Sequence, residues 1–178
     1  GATVGKILGM GRAMKSGLGC FALQAEGLKV GALVAVNCLG DVVDPLTGKK
    51  LAGPLKDDMQ TLADTEEMMI KSYTDTKSLF SGNTTIGVVA TNAAFTKAQA
   101  TKLASMAQNG YARAMRPAHS MYDGDTVFAM SCGSVEADLS VVGLLAARVM
   151  ERAVIAALEN AESLCGLKCC ADLKAKMS

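Results

Sequence analysis

The sequence predicts a mixed α/β domain with helices layered on a sheet. Three observations carry this. Apolar, β-branched runs occupy residues 29–39, 84–92 and 125–132. Two long segments, 97–115 and 139–160, carry apolar residues at helical spacing. The two kinds of segment alternate along the chain, as they do when helices cover a sheet.

Taken in order, residues 1–19 contain Gly1, Gly5, Gly9, Gly11, Gly17 and Gly19 and read as loop and tight turns. The spacing is only loosely that of a phosphate loop, and G-x-x-x-x-G-K-[ST] is absent. Runs 19–26 and 29–39, with Gly27 and Leu28 between them, predict a hairpin. Asp44, Pro45 and Gly48 mark a turn. Residues 61–73 predict a short helix, and 72–83 a small, polar, exposed connection. Strand 84–92 follows, then Thr96 as an N-cap and a helix with Leu103, Met106, Ala107, Tyr111 and Ala114 facing inward. Pro117 ends that helix. Strand 125–132, the Ala- and Leu-rich helix 139–160 and a short helix at 166–176 complete the chain.

Composition narrows the function classes. The 178 residues are 50% hydrophobic and carry a net charge of +1. That suits one globular domain and argues against an electrostatic nucleic-acid or membrane-surface binder. No apolar run reaches the about 18–20 residues of a membrane span, and the first residues lack the pattern of a signal peptide. The sequence starts without Met inside a glycine-rich segment. An upstream portion is therefore expected to be missing. Cys20, Cys38 and Cys132 sit singly in apolar runs. Cys165, Cys169 and Cys170 have no zinc-site spacing, and His119 is the single histidine. A reduced, cytoplasmic protein without metal or cofactor is the plain expectation.

With one histidine in a loop, histidine-based nucleophilic catalysis must use His119 or be absent. A Thr, Ser or Cys at a chain terminus needs no histidine, because its own α-amine, with a pKa of about 7.7–8.0, serves as base. Such a terminus is made by cutting the chain where a polar linker enters a strand. The stretch Gly82-Asn83-Thr84-Thr85 has that form, although it is also how ordinary strands begin. Asp123 and Asp125 lie two apart in extended chain, so they share a face and repel. They equally fit a solvated Asp-Gly turn. Asn37 interrupts an apolar strand, either as a satisfied polar group or as an amide donor to an oxyanion. Lys6 reads as a surface cation or a further site residue.

The segments GATVGK (1–6), VGALVAVNCLGDVVDPLTGK (30–49), NTTIGVVATNAAFTKAQATKLASMAQNGYARAMRPAHS (83–120) and DGDTVFAMSCG (123–133) resemble the self-processing L-aminopeptidase/D-esterase family. That family includes β-peptidyl aminopeptidases and the nylon-oligomer hydrolases, and block 83–132 is most similar to the latter branch. The resemblance implies an αββα sandwich of N-terminal-nucleophile type, incomplete here because the family's N-terminal portion is missing. It implies a single domain over 1–178, cut between Asn83 and Thr84 into the end of an α chain (1–83) and a β chain (84–178). Thr84 is then the nucleophile, Asp123 and Asp125 the acidic pair that orients it, Asn37 the oxyanion amide and Lys6 the lysine beside the nucleophile. The implied protein is a cytoplasmic homo-oligomer, often a tetramer, that cleaves small peptides or oligoamides through an acyl-enzyme. An esterase or acyltransferase on the same fold, and a non-processing interaction domain, are the alternatives.

Overall fold

A computed structural model describes residues 2–74 and 82–174. Part of the polar connection expected at 72–83 therefore lies outside the described residues. Strand β1 (Thr3–Val4) pairs with β2 (Met14–Lys15), so the glycine-rich start is a small hairpin rather than plain loop. Strands β3 (Leu18–Ala25) and β4 (Leu28–Ala35) form the expected antiparallel hairpin around Glu26 and Gly27. Strands β5 (Asp41–Val43) and β6 (Lys50–Ala52) flank the Asp44–Gly48 turn, in which Asp44 Oδ1 accepts from Leu46 N at 2.9 Å. Helix α1 (Thr65–Lys71) is shorter than expected, because its N-cap is Asp64, whose side chain accepts from Glu67 N.

The second half follows its sequence signals closely. Strand β7 (Ile86–Ala93) leads to α2 (Lys97–Ala114). Thr96 and Gln99 form a full capping box at the start of α2. After Ala114 the chain turns extended as β8 (Met115–Arg116), ahead of Pro117. Strand β9 (Thr126–Val135) precedes α3 (Leu139–Glu159), whose N-cap Asp138 accepts from Ser140 N and Val141 N. Helix α4 (Cys170–Lys174) starts four residues later than the pattern at 166–176 suggests.

The main sheet has the order β3-β4-β7-β9, antiparallel except for the parallel pair β7–β9, which α2 connects. Strands β6, β5 and β8 make a second, small sheet. Helices α2 and α3 pack on each other and on one face of the main sheet. Val30, Val34 and Val89 of the sheet, Leu103 and Tyr111 of α2, and Met150 and Leu158 of α3 are completely or almost completely buried there. Met106, expected inward, is only half-buried.

The opposite sheet face differs. Register places Cys20, Leu33, Val88 and Phe128 in one row across it. Leu33 is 47% exposed and Phe128 59%, with Leu18, Ile86 and Met130 also open on this face. No described helix is long and apolar enough to cross a membrane.

Candidate active site

Topology brings the candidate residues to one end of the main sheet. Strands β7 and β9 run parallel and start level, with Ile86 opposite Thr126. The residues just ahead of them, Asn83 and Asp123, form an isolated parallel bridge. Strand β4 runs against β7 and pairs Ala35 with Ile86, so its end delivers Asn37 to the same place. Thus Thr84, Asn37 and the 123–125 segment meet although they are far apart in the chain.

Lys6 joins them through the glycine-rich start. Gly5, with φ of 68°, has a backbone conformation that favours glycine. Gly5 N and Lys6 N donate to the carbonyls of Gly40 and Leu39, each at 3.0 Å. Lys6 is 2% exposed, so it is no surface cation. Its Nζ donates to the Asn37 carbonyl oxygen at 2.9 Å. Thr84 N donates to that same oxygen at 3.1 Å.

Around the nucleophile candidate, Thr84 Oγ1 donates to the Asn83 carbonyl oxygen at 2.6 Å. The same oxygen accepts from Gly124 N at 2.8 Å. The Asn37 carboxamide is held elsewhere. Its Oδ1 accepts from Thr3 N at 3.2 Å, and its Nδ2 donates to Gly82 O at 3.3 Å.

The two carboxylates brace the backbone around Thr84. Asp123 Oδ1 accepts from Leu39 N at 3.0 Å, and its Oδ2 accepts from Ser120 Oγ at 2.5 Å. Asp125 Oδ1 accepts from Thr85 N at 2.9 Å, and its Oδ2 accepts from His119 N at 3.4 Å. Neither carboxylate hydrogen-bonds Thr84 among the described contacts. The Asp125 side chain is 1% exposed. Burial pushes its carboxyl above the ordinary value; the Thr85 amide opposes this and Asp123 adds to it. Burial likewise pulls the Lys6 ammonium down, against the pull of Cys38, Asp123 and Asp125. The Cys38 thiol, fully buried, is pushed up by desolvation.

Residue-by-residue reasoning missed three members of this cluster. His119 Nδ1 lies 3.8 Å from Asp125 Oδ2, so the loop histidine faces the acidic pair. Thr85 is buried, and its Oγ1 accepts from Asn37 N at 3.2 Å. Gly124 reads in sequence only as a turn residue. The described residues contain no group of three His, Cys, Asp or Glu side chains that could hold a metal ion.

Comparisons with known proteins agree with this frame. Residues 2–170 match the model of peptidase family S58. An uncharacterized aminopeptidase of Mycobacterium leprae is 40% identical over 94% of this chain and 50% of its own length. An uncharacterized aminopeptidase of Mycobacterium tuberculosis is 34% identical over 90% of this chain and 53% of its own. The chain thus spans about half the length of these relatives.

Among solved structures, the PH0078 protein of Pyrococcus horikoshii superposes with a TM-score of 0.58 at 20% identity, covering 97% of this chain and 50% of that one. The L-aminopeptidase D-Ala-esterase/amidase of Ochrobactrum anthropi, described as a variant of the Ntn hydrolase fold, gives 0.55 at 20% identity, over 86% and 44%. A β-aminopeptidase from a Burkholderia species gives 0.52 at 23%, over 87% and 46%. At these identities the structural likeness speaks to the fold, which is the N-terminal-nucleophile type that the sequence resemblance implied. The match across nearly the whole sequence settles the family: this chain belongs to peptidase family S58.

Proposed function

We propose that this chain is part of a self-processing amide hydrolase whose nucleophile is Thr84. The observation that carries the reading is the hydroxyl of Thr84, 2.6 Å from the carbonyl oxygen of Asn83, the residue directly before it. In the uncut chain Thr84 Oγ1 adds to the Asn83 carbonyl carbon. The C–N bond breaks, the hydroxyl proton ends on the Thr84 nitrogen, and an ester remains. Water hydrolyses the ester to leave the Asn83 carboxylate and a free amine on Thr84.

That amine is then the base for the second reaction. Thr84 Oγ1 attacks the carbonyl of a small peptide or oligoamide, the amine accepts its proton, and an acyl-Thr84 intermediate is hydrolysed. The Asn37 carboxamide donates to the oxyanion of this step. The Asn37 carbonyl oxygen, which already accepts from Thr84 N, orients the amine, with Lys6 fixed on the same acceptor. Asp123 and Asp125 hold the strand starts that carry the nucleophile.

An aminopeptidase substrate follows from the names of the relatives, and an oligoamide from the sequence resemblance to the nylon-oligomer branch. The esterase named for the Ochrobactrum protein supports ester cleavage as a second reaction of the same acyl-enzyme. The reading also places the protein in the cytoplasm as a homo-oligomer. The open apolar sheet face supports an upstream segment of the same polypeptide as the second sheet of the sandwich.

The deciding experiment is the intact mass of the purified full-length gene product, with N-terminal sequencing of each chain. Two chains are expected, one beginning Thr-Thr-Ile-Gly. Thr84→Ala is expected to leave one uncut chain; two chains from that variant would remove Thr84 as the nucleophile. Asn37→Ala is expected to raise the turnover barrier by about 2.7–4 kcal/mol. An unchanged kcat in that variant removes the Asn37 amide from the oxyanion site.

A further inference from the structure

In the uncut chain the oxygen that becomes the oxyanion is the Asn83 carbonyl oxygen. Among the described contacts, it accepts from Thr84 Oγ1 at 2.6 Å and from Gly124 N at 2.8 Å. The first is lost as the reaction proceeds, because Oγ1 gives up its proton and becomes the attacking atom. The Gly124 N–H remains, aimed at the oxygen where negative charge develops.

The described hydrogen bonds of the Asn37 carboxamide go elsewhere. Thr3 N and Thr3 Oγ1 donate to its Oδ1, and its Nδ2 donates to Gly82 O, one residue ahead of the cut. Turning Nδ2 onto the Asn83 oxygen would break these contacts.

Residue 124 is suited to this position because it lacks a side chain. A Cβ built there would lie 2.7 Å from Thr84 Oγ1, too close for a hydroxyl in its present place. The amide is also fixed from both sides. Asn83 and Asp123 are bridged, and Thr126 N donates to Thr85 O at 2.9 Å. The Asp123 carboxylate is tied to Leu39 N and Ser120 Oγ. Such a donor needs little reorganisation as charge develops.

We propose that the Gly124 backbone N–H is the oxyanion donor of the chain-cleavage step, while the Asn37 carboxamide grips the segment ahead of the cut through the Gly82 carbonyl. This rests on the self-processing reading. The two tetrahedral intermediates, of processing and of substrate cleavage, then have different principal donors.

The test replaces the Gly124 backbone amide by an ester, using glycolic acid at that position in cell-free translation of the full-length gene product. Chain cutting is followed by mass. A slowing of about 10²–10³-fold is expected, the usual effect of removing one oxyanion donor. A cut at the wild-type rate overturns the proposal. Asn37→Ala is expected to slow chain cutting less than the ester does; a larger loss from Asn37→Ala overturns the division of roles. If the wild-type chain is never cut, the processing reading itself fails and this one with it.

Should the ester chain not fold, the hydrogen bond is read directly. In uncut Thr84→Ala protein, a scalar coupling across the hydrogen bond between Gly124 nitrogen and Asn83 carbonyl carbon is expected. Its absence, with a folded spectrum, overturns the proposal.

Discussion

At Asp125, burial opposes ionisation while the site's geometry depends on the carboxylate. Its folded-state pKa is raised by desolvation, with Thr85 N–H pulling the other way. The protonated form is therefore favoured on folding. The stability this group contributes is complete below the unfolded value of about 3.9 and is lost as pH rises through the raised folded value. Asp125→Asn removes that loss. Urea unfolding of the uncut Thr84→Ala background, with and without Asp125→Asn, is expected to show the Asn variant gaining relative stability as pH rises above about 4. Parallel pH curves would show that the carboxyl is not raised. Sequence alone marked Thr84, Asp123, Asp125 and Asn37, because each is polar at the edge of an apolar strand. It left the buried state of Lys6 open, since nothing local shows that Gly5 and Lys6 dock on Leu39 and Gly40. The loop histidine was equally opaque, because its nearness to Asp125 follows from a turn with His119 at φ of 57°.

Among the elements, the legible ones are those whose signals are local. Strand β7 is written in its β-branched residues, and α2 in its N-cap Thr96 and apolar face. Thr96→Ala is expected to cost about 1 kcal/mol in urea unfolding. The small sheet was invisible for the opposite reason. Its strands are two or three residues long, and β5 finds β8 only through the distant pairs Asp41–Arg116 and Val42–Met115. Asp41 pairs with Lys50 inside this sheet and ties the sheet to α1 through Thr65. Asp41 is 1% exposed, lies 2.5 Å from Lys50 Nζ and accepts from Thr65 Oγ1 at 2.5 Å. Lys50→Met leaves that buried carboxylate without its ionic partner, with only the Thr65 donors, and is expected to cost about 3 kcal/mol. The double variant Asp41→Asn with Lys50→Met is expected to recover part of the loss, as a double-mutant cycle would measure.

Over the whole molecule, one sheet face is sealed by α2 and α3 and the other is open. Leu33 on an inner strand and Phe128 on the edge strand β9 stand in one row of that open face, and such an apolar patch favours association. In sedimentation the 178-residue chain is expected to self-associate, and Leu33→Lys with Phe128→Glu to shift it toward monomer. An unshifted distribution would place the contact elsewhere. The sandwich could not be read from composition, because a strand covered on both faces and one waiting to be covered carry the same apolar residues. The strand order has its own thermodynamic consequence. A cut at Asn83–Thr84 falls between β4 and β7, neighbours joined by six residue pairs from Val30–Thr91 to Ala35–Ile86. Folding of the cut protein therefore changes its molecularity. The two pieces share one sheet, and unfolding frees two particles instead of one. Its melting temperature should then climb with protein concentration, while that of the uncut Thr84→Ala chain, held monomeric, should stay constant.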